Sequence, residues 1–160
     1  MDPRTEILHL PAGYRNQEQT VTLAWPEVLA RLAAAPSYWL ATVRADGRPH
    51  VVPVGGVWLD DALHFGGSLE TVHERNLRRS GLAAVHLDDA ASAVIAEGRA
   101  VRVHPAAEQA RRLADATRAK YGLDSGPDTY AQGCWSLTPS RAIAWTALAT
   151  DATRFTWDGR

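Results

Sequence analysis

The chain has 160 residues, 17 basic and 18 acidic, with 46% apolar and 22% charged residues. That balance fits one globular domain able to bury a real core, and it lacks the basic footprint of a nucleic-acid binder. No apolar run reaches the ~18–20 residues of a membrane span, and residues 1–6 lack a signal-peptide layout, so a cytoplasmic protein without membrane contact is expected. One domain over 1–160 is expected, with residues 1–20 as an N-terminal arm. Cys134 is the sole cysteine, which excludes an intrachain disulfide and a cysteine-based zinc site. It reads as a small buried hydrophobe with no catalytic role.

Residues 25–35 read as a short helix: Pro26 suits its first turn, Val28, Leu29 and Leu32 share a face, and Pro36 stops it. Residues 38–44 are aromatic and β-branched, a strand that turns at 45–48. Residues 50–59 return as a longer strand in which Pro53 and Gly55-Gly56 signal a bulge or an edge. A tight turn at Asp60-Asp61 leads to a third strand, 62–66.

A helix then begins directly after that strand. Thr71 and Glu74 form a T-x-x-E capping box, and Gly81 supplies the C-terminal stop. Strands 82–87 and 92–104 flank a turn at Asp88-Asp89. Pro105 opens the longest helix, to about Tyr121, with Ala110, Leu113, Ala114 and Thr117 at helical spacing. Residues 122–133 read as a loop, 135–138 and 142–146 as strands, and 154–157 as a final strand. The pattern predicts an α+β fold built on a barrel-like antiparallel sheet with a few flanking helices.

Much chemistry is excluded. There is no G-x-S-x-G elbow, P-loop or G-x-G-x-x-G fingerprint. His73-Glu74 begins like a zincin motif, but Leu77 occupies the second histidine's place. His9, His50, His64, His73, His86 and His104 lack ligand spacing, so no metal site is expected. One junction offers binding chemistry. The helix start after residues 66–68 presents N–H groups and a partial positive charge, with hydroxyls from Ser68 and Thr71 and basic side chains from His73, Arg75, Arg78 and Arg79.

The run Trp39-Leu40-Ala41-Thr42-Val43, then Asp46-Gly47-Arg48-Pro49-His50-Val51-Val52-Pro53-Val54, then Arg75-Asn76-Leu77 and Glu97-Gly98 resembles the pyridoxamine 5'-phosphate oxidase-like split β-barrel family. The likeness spans residues 32–100 well and 139–157 more loosely. It implies a split antiparallel barrel and a homodimer whose subunit interface holds FMN or the deazaflavin coenzyme F-420. His50, Val51, Val52, Pro53 and Val54 would run along the isoalloxazine. Gly67, Ser68, Thr71, His73, Arg75 and Asn76 would hold the ribityl phosphate. The implied activity is an oxidoreductase or reductase acting on a small molecule, with hydride chemistry supplied by the cofactor and no catalytic side chain. The alternative is a split-barrel ligand-binding module without redox turnover.

Two positions depart from the family pattern. His73 stands where relatives carry Lys or Arg, so phosphate affinity is expected to fall as pH rises. Glu70 and Glu74 lie in the phosphate turn; at about 6 Å each would oppose an anion by on the order of 2–3 kcal/mol per charge pair. Trp39, Trp58, Trp135 and Trp145 are expected to supply aromatic contacts to a twofold mate.

Overall fold

In a computed structural model, residues 2–11, 13–14, 19, 21–123 and 126–159 are described. The elements run β1 (Arg4–Ile7), α1 (Trp25–Ala34), β2 (Tyr38–Val43), β3 (Pro49–Val54), β4 (Val57–Leu59), β5 (Ala62–Phe65) and α2 (Val72–Ser80). They continue with β6 (Leu82–His86), β7 (Val94–Val103), α3 (Ala107–Tyr121), α4 (Pro127–Ala131), β8 (Cys134–Ala144), α5 (Leu148–Asp151) and β9 (Thr153–Thr156). The strands form a mostly consecutive antiparallel sheet in the order β1-β9-β8-β7-β6-β2-β3, while β5 pairs with both β4 and β8. The result is an α+β split barrel.

What closes the barrel is a change of partners within one stretch of chain. β3 lies along β2, with Leu40 opposite Val52, whereas β4 pairs with β5 and β5 with β8. The single strand expected over 50–59 is therefore two, broken at Gly55 and Gly56. A Cβ on Gly56 would lie 2.7 Å from the His64 carbonyl oxygen, so only glycine lets the strands cross there. The end of α3 clamps the break. The Tyr121 hydroxyl accepts from the Gly56 N–H at 2.9 Å and lies within donating distance of the Pro36 and Gly56 carbonyls. The Lys120 ammonium donates to the Gly56 carbonyl (2.8 Å) and the Tyr38 hydroxyl (2.9 Å), over the rings of Tyr38 and Tyr121.

Three other readings change. The strands expected at 135–138 and 142–146 are one, β8, which runs through Pro139. Proline lacks the N–H a ladder needs, and β7 absorbs this with a register shift between Glu97 and Gly98, opposite Pro139. A Cβ on Gly98 would overlap the Thr138 carbonyl oxygen. The arm is not merely an arm: β1 pairs with β9, Thr5 opposite Phe155; residues 1, 12, 15–18 and 20 lie outside the described set. Within the loop expected at 122–133, α4 forms a short helix after residues 124–125, which also lie outside it.

The core fills the barrel and the space under α1. Val28, Leu32, Leu40, Leu63, Val85, Leu137 and Phe155 are fully enclosed, and Trp25 packs edge-on against Trp157 at 4.7 Å. A smaller cluster of Val57, Leu113 and Cys134 lies under α3. At the β4–β5 turn both Asp60 and Asp61 take positive φ, as a two-residue hairpin of that hand requires.

Two tests follow from the clamp. Gly56→Ala is expected to destabilise the fold by roughly 1–3 kcal/mol, read as a lowered urea midpoint. Burial pushes Lys120 down to about 8. Between that value and the unfolded lysine's ordinary one, the unfolded chain binds the extra proton, so this group adds stability as pH rises through 8 to 10. The stability difference between wild type and Lys120→Met should grow in favour of wild type over that window and stay level below pH 7.

Candidate functional site

The end of β5, the turn at 66–71 and the first turn of α2 build one corner of the barrel, and α2 packs against β2 and β3. Thr71 caps α2 as expected: its Oγ1 accepts the Glu74 N–H at 3.4 Å. That cap leaves the N–H groups of Val72 and His73 ahead of the first intrahelical bond. At the far end, Gly81 closes the helix in the left-handed conformation, φ 67°.

The second half of the capping box is absent. Glu74 does not turn back to the helix start; its side chain is completely buried and reaches β8 and β7 instead. One carboxylate oxygen accepts the indole N–H of Trp135 at 2.5 Å. The other accepts from Arg78 Nε at 2.9 Å and Arg102 Nη1 at 3.5 Å. An indole N–H with no water nearby needs a buried acceptor, and this requirement outcompetes the cap. Glu74 thus faces away from the turn with two cations beside it, so the expected repulsion of an anion is offset. Glu70 does lie on the turn, exposed, and its carbonyl takes a hydrogen bond from Arg75 Nη1 at 2.7 Å.

His73 is buried to 7% exposure, with its ring beneath the turn. A Cβ on Gly67 would lie 3.0 Å from its Nε2, so glycine is what lets the turn close over the imidazole. Thr71 Oγ1 donates to the Ser68 carbonyl at 2.9 Å, and therefore accepts from His73 Nε2 at 3.3 Å. The proton gained on charging then enters Nδ1. Burial pushes the His73 pKa down; Glu74 raises it in part and His50 lowers it further. His50 and His73 are thus brought together from β3 and α2. Burial and Arg44 also lower His50, whose Nδ1 accepts from the Arg44 guanidinium at 3.3 Å.

Along β3, Val51 and Pro53 are exposed, His50 and Val52 half-buried, and Val54 buried, so Val54 offers backbone alone. Among the described residues β3 pairs only with β2, and its other edge is unpaired beside the α2 corner. Ser68 is exposed, and its Oγ accepts the Glu70 N–H. Asn76 is buried with its amide on Thr42 Oγ1 at 3.0 Å, tying α2 to β2. Arg79 spans to the carbonyls of Val43 and Arg44. No spacing rule announced these three bonds, because their partners lie more than 30 residues away.

A shallow cavity of about 750 Å³ lies elsewhere, on the outer face of β2, β6, β7 and β8, bordered by Val43, Pro49, Leu82, Arg99, Val101 and Thr138. It shares none of the residues singled out for cofactor. Of the strand tryptophans, Trp39 is on the outer face, stacked on His86, while Trp135 is buried in the core, contrary to expectation. Cys134 is buried and its thiol is pushed up by that burial. No group of ligating side chains able to hold a metal occurs among the described residues, and no described helix is long and apolar enough to cross a membrane.

A barrel split at a strand break, with an open strand edge beside a capped helix N-terminus, defines the class of split β-barrels. Residues 24–146 match the pyridoxamine 5'-phosphate oxidase family, and the chain belongs to it. The fold is shared with a conserved hypothetical protein of Mycobacterium tuberculosis (18% identity, TM-score 0.67, 82% of this chain and 89% of that one). It is also shared with the heme storage protein HutZ of Vibrio cholerae (19%, 0.61, 78% and 96%) and with an F-420 reductase (20%, 0.54, 83% and 98%). No curated protein sequence matches the chain.

The role of Asn76 in the fold is testable without ligand. Asn76→Ala should cost about 1–2 kcal/mol in urea denaturation, because it strands the buried Thr42 hydroxyl.

Proposed function

We propose that the protein is a flavin- or deazaflavin-dependent oxidoreductase that takes FMN or coenzyme F-420 and acts on a small molecule. The observation that carries this reading is the unpaired edge of β3 lying beside the α2 corner. A planar heterocycle with amide-like edges pairs with a strand edge, and a phosphate suits a helix N-terminus with hydroxyls and cations around it. The cofactor would supply hydride transfer. The chain's part is to hold and orient it: His50, Val51, Val52, Pro53 and Val54 along one side, with Gly67, Ser68, Thr71, His73 and Arg75 at the phosphate. Asn76 supports them by fixing α2 to β2.

We further propose that two copies pair through the outer sheet face. Trp39, Val43, Val51, Leu82 and Val101 are all exposed there, a contiguous apolar surface of the kind that subunits cover. Light scattering at micromolar concentration should give twice the 17.4 kDa of one chain.

A neutral His73 in place of a permanent cation favours a second reading, a binding module without redox turnover, and the heme-binding likeness of the fold supplies a second ligand to try. FMN, F-420 and heme are titrated separately at pH 6 and pH 8. The oxidoreductase reading expects FMN or F-420 to bind more tightly at pH 6 than at pH 8, by up to roughly tenfold, because the bound phosphate favours the protonated imidazole of His73. His73→Lys should tighten binding at pH 8 and flatten the dependence. Heme binding alone, with no flavin or deazaflavin affinity at either pH, would favour the module.

A further inference from the structure

One hydrogen bond fixes which way the backbone of β3 points. The Arg44 N–H donates to the Arg48 carbonyl at 2.9 Å, one step before the Val43–Pro49 pair. Partners in an antiparallel ladder alternate between pairs that exchange both bonds and pairs that exchange none. Thr42–His50, Leu40–Val52 and Tyr38–Val54 are therefore bonded pairs, and Pro49, Val51 and Pro53 turn their polar groups away from β2. Both prolines fall where β2 asks for no N–H, which is why the ladder tolerates two of them. Among the described residues no strand covers the other edge of β3. That edge carries the carbonyls of Pro49, Val51 and Pro53 but a single N–H, that of Val51.

We propose that this acceptor-rich edge selects hydrogen-bond donors, so that Pro49 and Pro53 bias the cofactor site toward the reduced flavin. This rests on the cofactor reading above and names a specificity for it. An ordinary strand edge offers donors and acceptors in equal number and takes either. Here one cyclic amide satisfies Val51, and any ligand group beyond it on either side meets a carbonyl with no N–H beside it. A ligand acceptor placed there faces another acceptor and both go unbonded, whereas a donor is bonded. Ring nitrogens 1 and 5 of oxidised FMN are acceptors; uptake of two electrons and two protons turns both into N–H donors. In the deazaflavin position 5 is carbon, so nitrogen 1 alone becomes a donor.

The charges near the edge do not produce this signature. Arg44, beside His50, and His73 at the turn act on the cofactor phosphate, whose charge is the same in both redox states. The Pro49 and Pro53 side chains are exposed and apolar. Replacing them by alanine adds N–H groups to the open edge and changes neither the charge of the site nor the bonds to β2.

Amide exchange in the ligand-free protein checks the edge itself: the Val51 N–H should exchange far faster than those of His50, Val52 and Val54. Equal protection of all four overturns the inference. FMN and F-420, each oxidised and reduced, are then titrated anaerobically at pH 6 into wild type and the Pro49→Ala/Pro53→Ala double variant. Wild type should hold reduced FMN about tenfold more tightly than oxidised FMN, a midpoint about 30 mV above that of the free cofactor, with a smaller ratio for F-420. The double variant should lose most of that ratio, chiefly by binding oxidised FMN better. Should it not fold, the single variants Pro49→Ala and Pro53→Ala are read the same way. A ratio near one in wild type, or an unchanged ratio in the variants, overturns the inference and leaves the cofactor reading standing. Affinity for neither cofactor in either redox form discards the cofactor reading, and the inference falls with it.

Discussion

The strand break at Gly55 and Gly56 is the constraint on which the rest of the molecule depends. An antiparallel sheet that simply continued would leave β4 and β5 without the partner that closes a barrel. The chain must instead leave β2 and reach β8 through β5, and it does so where a side chain would collide with the His64 carbonyl. Glycine makes the crossing sterically possible but also floppy, since it loses the most freedom on folding. Tyr121 and Lys120 offset that loss by binding both polar groups of Gly56 from the end of α3. An ammonium held partly out of water, with no carboxylate paired to it among the described residues, is an unfavourable choice in isolation. Two aromatic faces and two oxygens make it tolerable.

The corner that carries the candidate site is a consequence of that closure. Because the strand breaks, β3 ends as an edge instead of being covered by β5. Because β5 is pulled toward β8, the chain leaving it enters α2 beside that edge. Asn76 and Arg79 then fix the helix to β2 and the turn after it. An open edge is ordinarily a hazard in a sheet protein, blunted here by Pro53 and by a location next to a helix. A ligand pairing with that edge would satisfy its backbone groups.

Local signals were legible in the sequence. Pro26 and Pro36 bound α1, Thr71 and Gly81 bound α2, and Asp60-Asp61 turn β4 into β5, each because the required geometry is written within four residues. Partner exchange was not. Gly55-Gly56 announces a break, but nothing nearby says which strand takes over. The T-x-x-E spacing correctly placed the cap residue and misassigned its partner, since Trp135, 61 residues on, makes the stronger demand on Glu74. The same long-range pairing took Trp135 out of the expected interface. Residues 135–138 and 142–146 read as two short strands where Gly98, on the neighbouring strand, permits one long one through Pro139. The site residues themselves were found by resemblance, and their spacing alone would not have separated them from a solvated helix face.

In the cofactor reading, the electrostatics of the corner leave the anion's countercharge to a titrating group. Its arginines are already engaged: Arg75 with the Glu70 carbonyl, Arg79 with two carbonyls, Arg48 with Asp46, and Arg78 with Glu74. Each guanidinium keeps donors to spare, but its position is set by the fold and not by a ligand. The group nearest the turn's interior is His73, and its burial leaves it neutral until something stabilises the charge. A lysine there would bring a permanent cation into the same enclosed space, at a cost in every unliganded molecule. In the cofactor reading proposed above, histidine would defer that cost to the moment of binding: the ligand-free fold is relieved of a buried charge, and affinity would depend on proton supply.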